Sequence, residues 1–300
     1  MEVANASMYD GATSLAEAIL MAARIKRNRK KITIFNDLNS DYLEVIKTYN
    51  ELAEIKISDE FNEEIAAVIV SYPDFKGNIA DLENIRKKCD EIGALMIVCV
   101  TEILSLGLLE APAMADIVVG EAASIGVGLN FGGPLLGFLA CKKVNVRQIP
   151  GRICGATLDE DGKEGFVLTL NAREQHIRRE KATSNICSNQ GLCAVAFTIH
   201  SMLLGENGFK HLALINHKKA CDLADKLAKI KGVRVLNESF FNEFTIELSQ
   251  DSSLVNKKLL EKNIIGGLAL ENNQLLVAVT ELTSAEDVEI FAKELAEILK

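Results

Sequence analysis

The chain has 300 residues and a formal net charge of −9 at pH 7, which argues against bulk binding to nucleic acid. Apolar residues make up 48% and charged residues 25%, as is usual for a soluble globular protein. No uncharged apolar run reaches the roughly 18 residues of a membrane span, and the first residues do not form a secretory signal. The length predicts one larger and one smaller domain.

Seven cysteines are scattered along the chain, most of them within apolar surroundings. Their number is odd, and neither a C-x-x-C motif nor the Cys/His spacing of a zinc site occurs. This pattern is typical of reduced thiols in a cytoplasmic protein and predicts neither disulfides nor a metal site.

The first predicted helix follows a small-polar segment at residues 5–13 and continues to about Arg27, with apolar residues at helical spacing. Such a start leaves backbone N–H groups free, and these can hold an anion such as phosphate. Any capped helix gives the same pattern, so both interpretations stay open.

Strand and helix signals then alternate along the chain. Strands are predicted at 31–36, 53–58, 65–72, 94–100 and 117–119, and helices at 41–52 and 79–92. Buried strands separated by helices predict an α/β fold with a mostly parallel, doubly wound sheet that is covered on both faces.

Ligands of such sheets lie at the carboxyl ends of the strands. The positions just past the predicted strands include Tyr72, Glu102, Glu121 and Ser124. The segment 120–137 contains six glycines. It predicts a tightly turned loop, either where backbone approaches a ligand or simply where the chain must turn.

The segment 169–190 is the most unusual part of the sequence. Five basic or imidazole side chains fall within nine residues, namely Arg173, His176, Arg178, Arg179 and Lys181. Between Lys142 and Lys181 there are nine basic and six acidic residues, so the excess could serve a phosphate, a carboxylate or an acidic partner. A solvated charged face explains the composition equally well. An apolar run from Leu192 to Leu204 follows and is expected to form a buried helix.

The remaining sequence predicts a separate small α/β domain at 206–300, after a large α/β domain at 1–205. Helices are expected at 190–204, 207–229, 253–262 and 284–299, and strands at 233–236, 241–248 and 274–279. Thr283 and Glu286 have the spacing of a capping box for the last helix.

Several long motifs resemble the P-protein family of the glycine cleavage system, and more closely its non-catalytic half, the alpha subunit or subunit 1. They include NASMYDGATSLAEA (5–18), YPDFKGNIADLE (72–83), ADIVVGEAASIGVGLNFGGPLLGFLACKK (115–143), RQIPGRICGATLDEDGKEGFVLTL (147–170), TLNAREQHIRREKATSNIC (169–187) and FFNEF (240–244). The resemblance implies fold type I of the pyridoxal-phosphate enzymes, with a small C-terminal domain. It also implies glycine decarboxylation, with transfer of the aminomethyl group to the lipoyl arm of the H-protein.

The resemblance implies as well that a lysine past a strand holds the cofactor as a Schiff base. Ser124 lies near the family position of that lysine. The family also needs an acid that pairs with the pyridine nitrogen of the cofactor; Glu102 follows the predicted strand at 94–100, but the usual aspartate is not obvious. Lys142 and Lys143 follow an apolar segment and are expected at the surface, while Lys181 lies among other cations. We therefore expect the catalytic beta subunit to bind pyridoxal phosphate. The alternatives are an autonomous pyridoxal-phosphate aminotransferase or lyase, and an inactive fragment with only a binding role.

The family alpha subunit carries a further segment before the NASMYDGAT motif, so the large domain is expected to be incomplete at its N-terminus. A fragment, a split gene or a misplaced start would each produce this. A heterodimer or heterotetramer with the beta subunit is expected. The residues expected at the cleft or the subunit contact are Tyr9, Asp10, Glu102, Arg173, His176, Arg178, Thr183, Ser184 and Asn185.

Overall fold

The computed structural model describes residues 1–300, which divide into two compact units. The first unit contains residues 1–72, 80–103 and 110–204, and the second contains 73–79, 104–109 and 205–300. The sequence pattern does not indicate that two short segments from the N-terminal half pack with the C-terminal unit. No helix in either unit combines the length and the apolar composition needed to cross a membrane.

A seven-stranded sheet forms the centre of the first unit, in the order β1-β7-β6-β5-β4-β2-β3. Five neighbouring strands, β6, β5, β4, β2 and β3, pair in parallel. At one side β7 pairs antiparallel with β6, and β1 pairs antiparallel with β7. The elements of this unit are β1 (Val3–Ala4), α1 (Gly11–Ile25), β2 (Lys31–Ile34), α2 (Ser40–Ala53), β3 (Lys56–Ile57), β4 (Ile65–Ser71), α3 (Leu82–Ile92), β5 (Leu95–Val100), β6 (Ile117–Glu121), β7 (Gly137–Cys141), β8 (Ile153–Leu158), β9 (Glu164–Thr169) and α4 (Gln175–Arg178).

Burial explains why the sequence pattern predicts the central strands. Every residue of β4 and β5 is buried, so these strands are apolar throughout, as in sheets that helices cover on both faces. The antiparallel hairpin of β8 and β9 was not predicted. Most of its side chains are exposed, including Phe166 and Val167, so it lacks the alternation that marks a half-buried strand. The glycine-rich segment 120–137 begins at the end of β6 and ends at the start of β7.

Helix α1 packs inside the first unit and carries a buried acid, Glu17. Burial raises the pKa of Glu17 from its usual 4.5 to about 7, although Arg24 opposes this effect. The unfolded chain loses this proton at lower pH than the folded chain does. Stability therefore falls as the pH rises from about 4.5 to about 7, and the penalty persists above that range.

We expect Glu17→Gln to raise the free energy of unfolding at pH 8 by about 2 kcal/mol, because the amide avoids burial of a charge. At pH 4 the variant and the parent should unfold at nearly the same urea concentration, since the parent side chain is then neutral. Urea unfolding at both pH values measures the difference. A variant less stable than the parent at pH 8 would show that the charge pair with Arg24 outweighs burial.

The second unit contains a four-stranded antiparallel sheet in the order β10-β11-β13-β12. Its strands and helices, with the long helix that leads into it, are α5 (Gly191–Leu227), β10 (Val233–Val235), β11 (Glu243–Leu248), α6 (Ser252–Leu260), β12 (Leu268–Ala269), β13 (Gln274–Ala278) and α7 (Ala285–Ile298). At Gly205 the φ angle of 61° interrupts α5 where two separate helices were predicted.

The predicted cap of the last helix was wrong by one residue. Ser284, not Thr283, is the N-cap of α7, and Asp287 completes the capping box in place of Glu286. The side chain of Thr283 instead accepts a hydrogen bond from the backbone N–H of Thr280 at 3.2 Å. The pairs Thr283/Glu286 and Ser284/Asp287 have the same spacing in the sequence, and the conformation of the turn before the helix determines which pair forms the cap.

Candidate functional site

The carboxylate of Glu121, at the end of β6, accepts hydrogen bonds from four backbone N–H groups. One oxygen accepts from Ala122 at 3.1 Å, from Ala123 at 3.0 Å and from Leu136 at 2.8 Å. The other accepts from Gly11 at 3.0 Å. Glu121 therefore fixes both limits of the glycine-rich segment and joins them to the start of α1.

Asp10 supplies a second carboxylate at the start of α1. It is the N-cap, and its side chain accepts from the backbone N–H of Thr13 at 2.7 Å. Asp10 and Glu121 together accept hydrogen bonds from the backbone N–H groups of Thr13 and Gly11, which would otherwise be free to bind an anion. Two internal carboxylates at one helix start repel a phosphate, so the phosphate interpretation of this segment does not fit the structure.

Ser124 and Glu102 are brought together across the ends of neighbouring strands. The Ser124 hydroxyl donates to a carboxylate oxygen of Glu102 at 2.7 Å. The chain contains no lysine between Lys88 and Lys142, so no amine follows either strand. This end of the strands thus presents a hydroxyl–carboxylate pair at the position where the family resemblance implies the amine of a pyridoxal-phosphate enzyme.

Lys142 lies at the other edge of the sheet. Because β7 is antiparallel to β6, its end lies beside the beginning of β6, and there the Lys142 ammonium is 3.1 Å from a carboxylate oxygen of Asp116. Asp116 is also paired with Arg86 at 2.7 Å. Lys143 is exposed, as predicted. Neither lysine replaces the missing amine, so the residues near Ser124 do not fit pyridoxal phosphate.

Arg173 holds the basic segment against the preceding turn. One guanidinium nitrogen donates to the backbone oxygen of Ile149, and another donates to that of Gly151 at 2.6 Å. The backbone oxygen of Arg173 in turn accepts from the Thr183 hydroxyl at 3.0 Å and from the Thr183 N–H at 3.2 Å. These contacts make Arg173 and Thr183 part of the framework that shapes residues 169–190.

The other predicted residues of this segment form hydrogen bonds mainly with backbone groups of the same segment. Arg178 donates to the oxygen of Ala172 at 3.0 Å, and the oxygen of Asn185 accepts from Gln175 at 3.1 Å. The Ser184 hydroxyl accepts from the N–H of Ile186 at 3.3 Å, and His176 is exposed. Tyr9 is also exposed, and its backbone oxygen accepts from Gln190 at 3.5 Å.

The apolar run that starts α5 is exposed, so the expectation of a buried helix was wrong. Five large apolar side chains, which we call the apolar stripe, are between 52% and 84% exposed. They are Leu192, Val195, Ile199, Met202 and Leu203. Their spacing places them along one side of a helix. Contiguous apolar surface of this kind is typical of a protein–protein contact.

Comparison with known proteins gives a consistent result. The family model described as "Glycine cleavage system P-protein" matches residues 1–295. The chain is 48% identical to "Probable glycine dehydrogenase (decarboxylating) subunit 1" of Erythrobacter litoralis, with 99% of this chain and 72% of that protein covered. It is 49% identical to the protein of the same name from Azorhizobium caulinodans, with 100% and 72% covered.

Comparison with solved structures also finds a P-protein and shows the fold of the chain. A crystal structure of glycine decarboxylase (P-protein) of the glycine cleavage system, in inhibitor-bound form, matches with a TM-score of 0.94 and 38% identity. The match covers 100% of this chain and 72% of that one. A sphingosine-1-phosphate lyase from Burkholderia pseudomallei matches with a TM-score of 0.69 at 17% identity, over 97% of this chain and 69% of the other, which shows the fold alone. The predicted α/β fold type I is thereby confirmed.

Proposed function

Because the chain belongs to the glycine cleavage system P-protein family, we propose that it acts as subunit 1 of a glycine dehydrogenase (decarboxylating) together with a catalytic beta subunit. The complex decarboxylates glycine and transfers the aminomethyl group to the lipoyl arm of the H-protein. One observation carries the proposal: relatives that are 48% and 49% identical over nearly the whole chain are themselves named subunit 1.

In this proposal the beta subunit binds pyridoxal phosphate, which supplies the stabilisation of the carbanion. Two features of this chain support that division of roles. Ser124 donates to Glu102 where an amine would be needed, and the carboxylate of Glu121 meets the N–H group of Gly11. The chain's own contribution is then to position and cover the catalytic subunit rather than to react.

The apolar stripe supports a partner subunit, because it leaves five large apolar side chains in water in the free chain. We propose that the residues expected at the cleft or the subunit contact act there in the complex. They are Tyr9, Asp10, Glu102, Arg173, His176, Arg178, Thr183, Ser184 and Asn185. A cytoplasmic location is part of the proposal, and the seven free cysteines support it.

We expect the isolated chain to carry no pyridoxal phosphate on a single lysine after incubation with the cofactor, reduction with borohydride and peptide mapping. The reason is the absence of any lysine between positions 88 and 142. The beta subunit, treated in the same way, should carry one labelled lysine. One fully labelled lysine in the isolated chain would contradict the cofactor-free role and favour an autonomous aminotransferase or lyase.

Mixing the two subunits provides the test of the function itself. Glycine decarboxylation, measured as release of labelled CO2 in the presence of lipoylated H-protein, should appear only when both subunits are present. A chain that neither binds the beta subunit nor increases its activity would instead be an inactive fragment.

A further inference from the structure

A pocket in the first unit is lined by five cationic side chains and by no acidic one. Its volume is about 390 Å³, which lies within the range of small-molecule pockets. The cations come from three separate parts of the sequence: Arg24, Arg147, Arg173, Arg178 and Lys181. The remaining lining residues are Gln148, Leu170, Ala172 and Thr183.

Backbone contacts hold three of these cations in place. Arg24, in the last turn of α1, donates to the oxygen of Gln148 at 3.1 Å. Arg173 donates to the oxygens of Ile149 and Gly151, and Arg178 donates to that of Ala172. Because their partners are neutral carbonyl groups, these bonds fix the guanidinium groups without cancelling their charge.

Two acids lie near the pocket without lining it. Glu174 is buried beside Arg173, with 3.4 Å between their charged atoms. Glu17 interacts with Arg24, but burial raises its pKa to about 7, so it is partly protonated at neutral pH. The five cations are therefore only partly neutralised.

The side chains of Arg24 and Arg173 are partly buried, which distinguishes this pocket from a fully solvated basic face. The Nε atoms of Arg24 and Arg173 are shielded from solvent, and neither has a hydrogen-bond acceptor. The neighbouring acids Glu17 and Glu174 also have buried carboxylate oxygens without a hydrogen-bond partner, so these Nε atoms belong to the buried acid–base contacts behind the pocket and are not counted as ligand contacts. Arg147 and Lys181 are exposed and form no hydrogen bond or ion pair through their side chains, so they are available to a ligand.

We propose that this pocket binds a small molecule through a phosphoryl or diphosphoryl group. Guanidinium groups match the geometry of phosphate oxygens, and several cations in one pocket favour a ligand with more than one negative charge. The volume leaves room for a small organic portion beside the phosphoryl group. Three of its lining residues, Arg173, Arg178 and Thr183, also belong to the set proposed for the cleft or the subunit contact, so the pocket is tested on the free chain, without glycine or the beta subunit.

Calorimetric titration of the full chain with inorganic pyrophosphate tests the proposal. We expect saturable binding with one site per chain, weaker at 200 mM than at 50 mM salt because screening reduces the attraction. The double variant Arg147→Gln/Lys181→Gln should bind at least tenfold more weakly. Neither side chain supports the fold, so the variant should keep the circular dichroism spectrum of the parent.

The matched control is Arg179→Gln/Lys163→Gln, which removes the same charge from exposed residues of the same region that do not line the pocket. It should change the affinity less than twofold. Absence of saturable binding, or an equal loss in the control, would overturn the proposal. Loss of an acidic protein partner by the pocket variant, without any pyrophosphate binding by the parent, would also overturn it and identify a protein contact instead.

Discussion

Replacement of both Met202 and Leu203 by glutamate should abolish association with the catalytic subunit while the free chain keeps its fold. The two side chains are 78% and 83% exposed, so their removal costs the free chain little. In a complex that buries them, each contributes about 1.5–3 kcal/mol, and a buried unpaired charge adds a further penalty. Together these terms weaken binding by at least 100-fold. Analytical ultracentrifugation of the mixed subunits measures the loss, and glycine decarboxylation should fall with it.

Leu52 offers a matched control, because it is 90% exposed on α2 and lies outside the apolar stripe. Leu52→Glu should leave both association and activity unchanged. Wild-type association of the Met202→Glu/Leu203→Glu variant would place the subunit contact elsewhere. Activity that survives in such a complex would leave the proposed function intact and reject only the role of the stripe.

Replacement of Glu121 by alanine should destabilise the first unit by about 3–5 kcal/mol. The change leaves four backbone N–H groups without their acceptor, and hydrogen bonds to a charged group each contribute about 1.5–3 kcal/mol. The total stays below the simple sum because part of the segment can relax towards water. The shift of the urea unfolding midpoint measures the effect.

Glu121→Gln keeps one oxygen acceptor and should lose less than half as much stability as the alanine variant. Glu160→Ala, in an exposed turn of the hairpin, should behave as the parent. Equal stability of the parent and Glu121→Ala would mean that water replaces the carboxylate at no cost and that Glu121 does not organise this edge of the sheet.

The sheet was predictable because its central strands are apolar throughout. Residues of β4 and β5 are buried on both faces, so their composition alone marks them as central strands of a parallel sheet. The hairpin of β8 and β9 has no such signal, because exposure removes any constraint that would make polar and apolar residues alternate. The prediction for the apolar stripe failed for a different reason: its sequence is that of a buried helix, but its five side chains are exposed in the free chain.

The candidate site was predictable only in part. The sequence pattern predicts which residues follow the strands, and two of these residues, Ser124 and Glu102, form a hydrogen bond with each other. Their hydrogen bond depends on the alignment of β5 and β6, which the sequence does not reveal. The basic pocket was missed as a unit because Arg24 is more than one hundred residues from Arg147, and only the folded chain places them together.

The Glu121 carboxylate, which contacts the start of α1, also limits what a single substitution near Ser124 could achieve. A single Ser124→Lys change would introduce an amine but would leave Glu121 beside the N–H group of Gly11, where its charge opposes the binding of a phosphate. Removal of Glu121 first would cost the stability that its four hydrogen bonds provide. Each of the two single substitutions is thus disfavoured, so Glu121 stabilises the present arrangement against the gain of a phosphate site at this helix start.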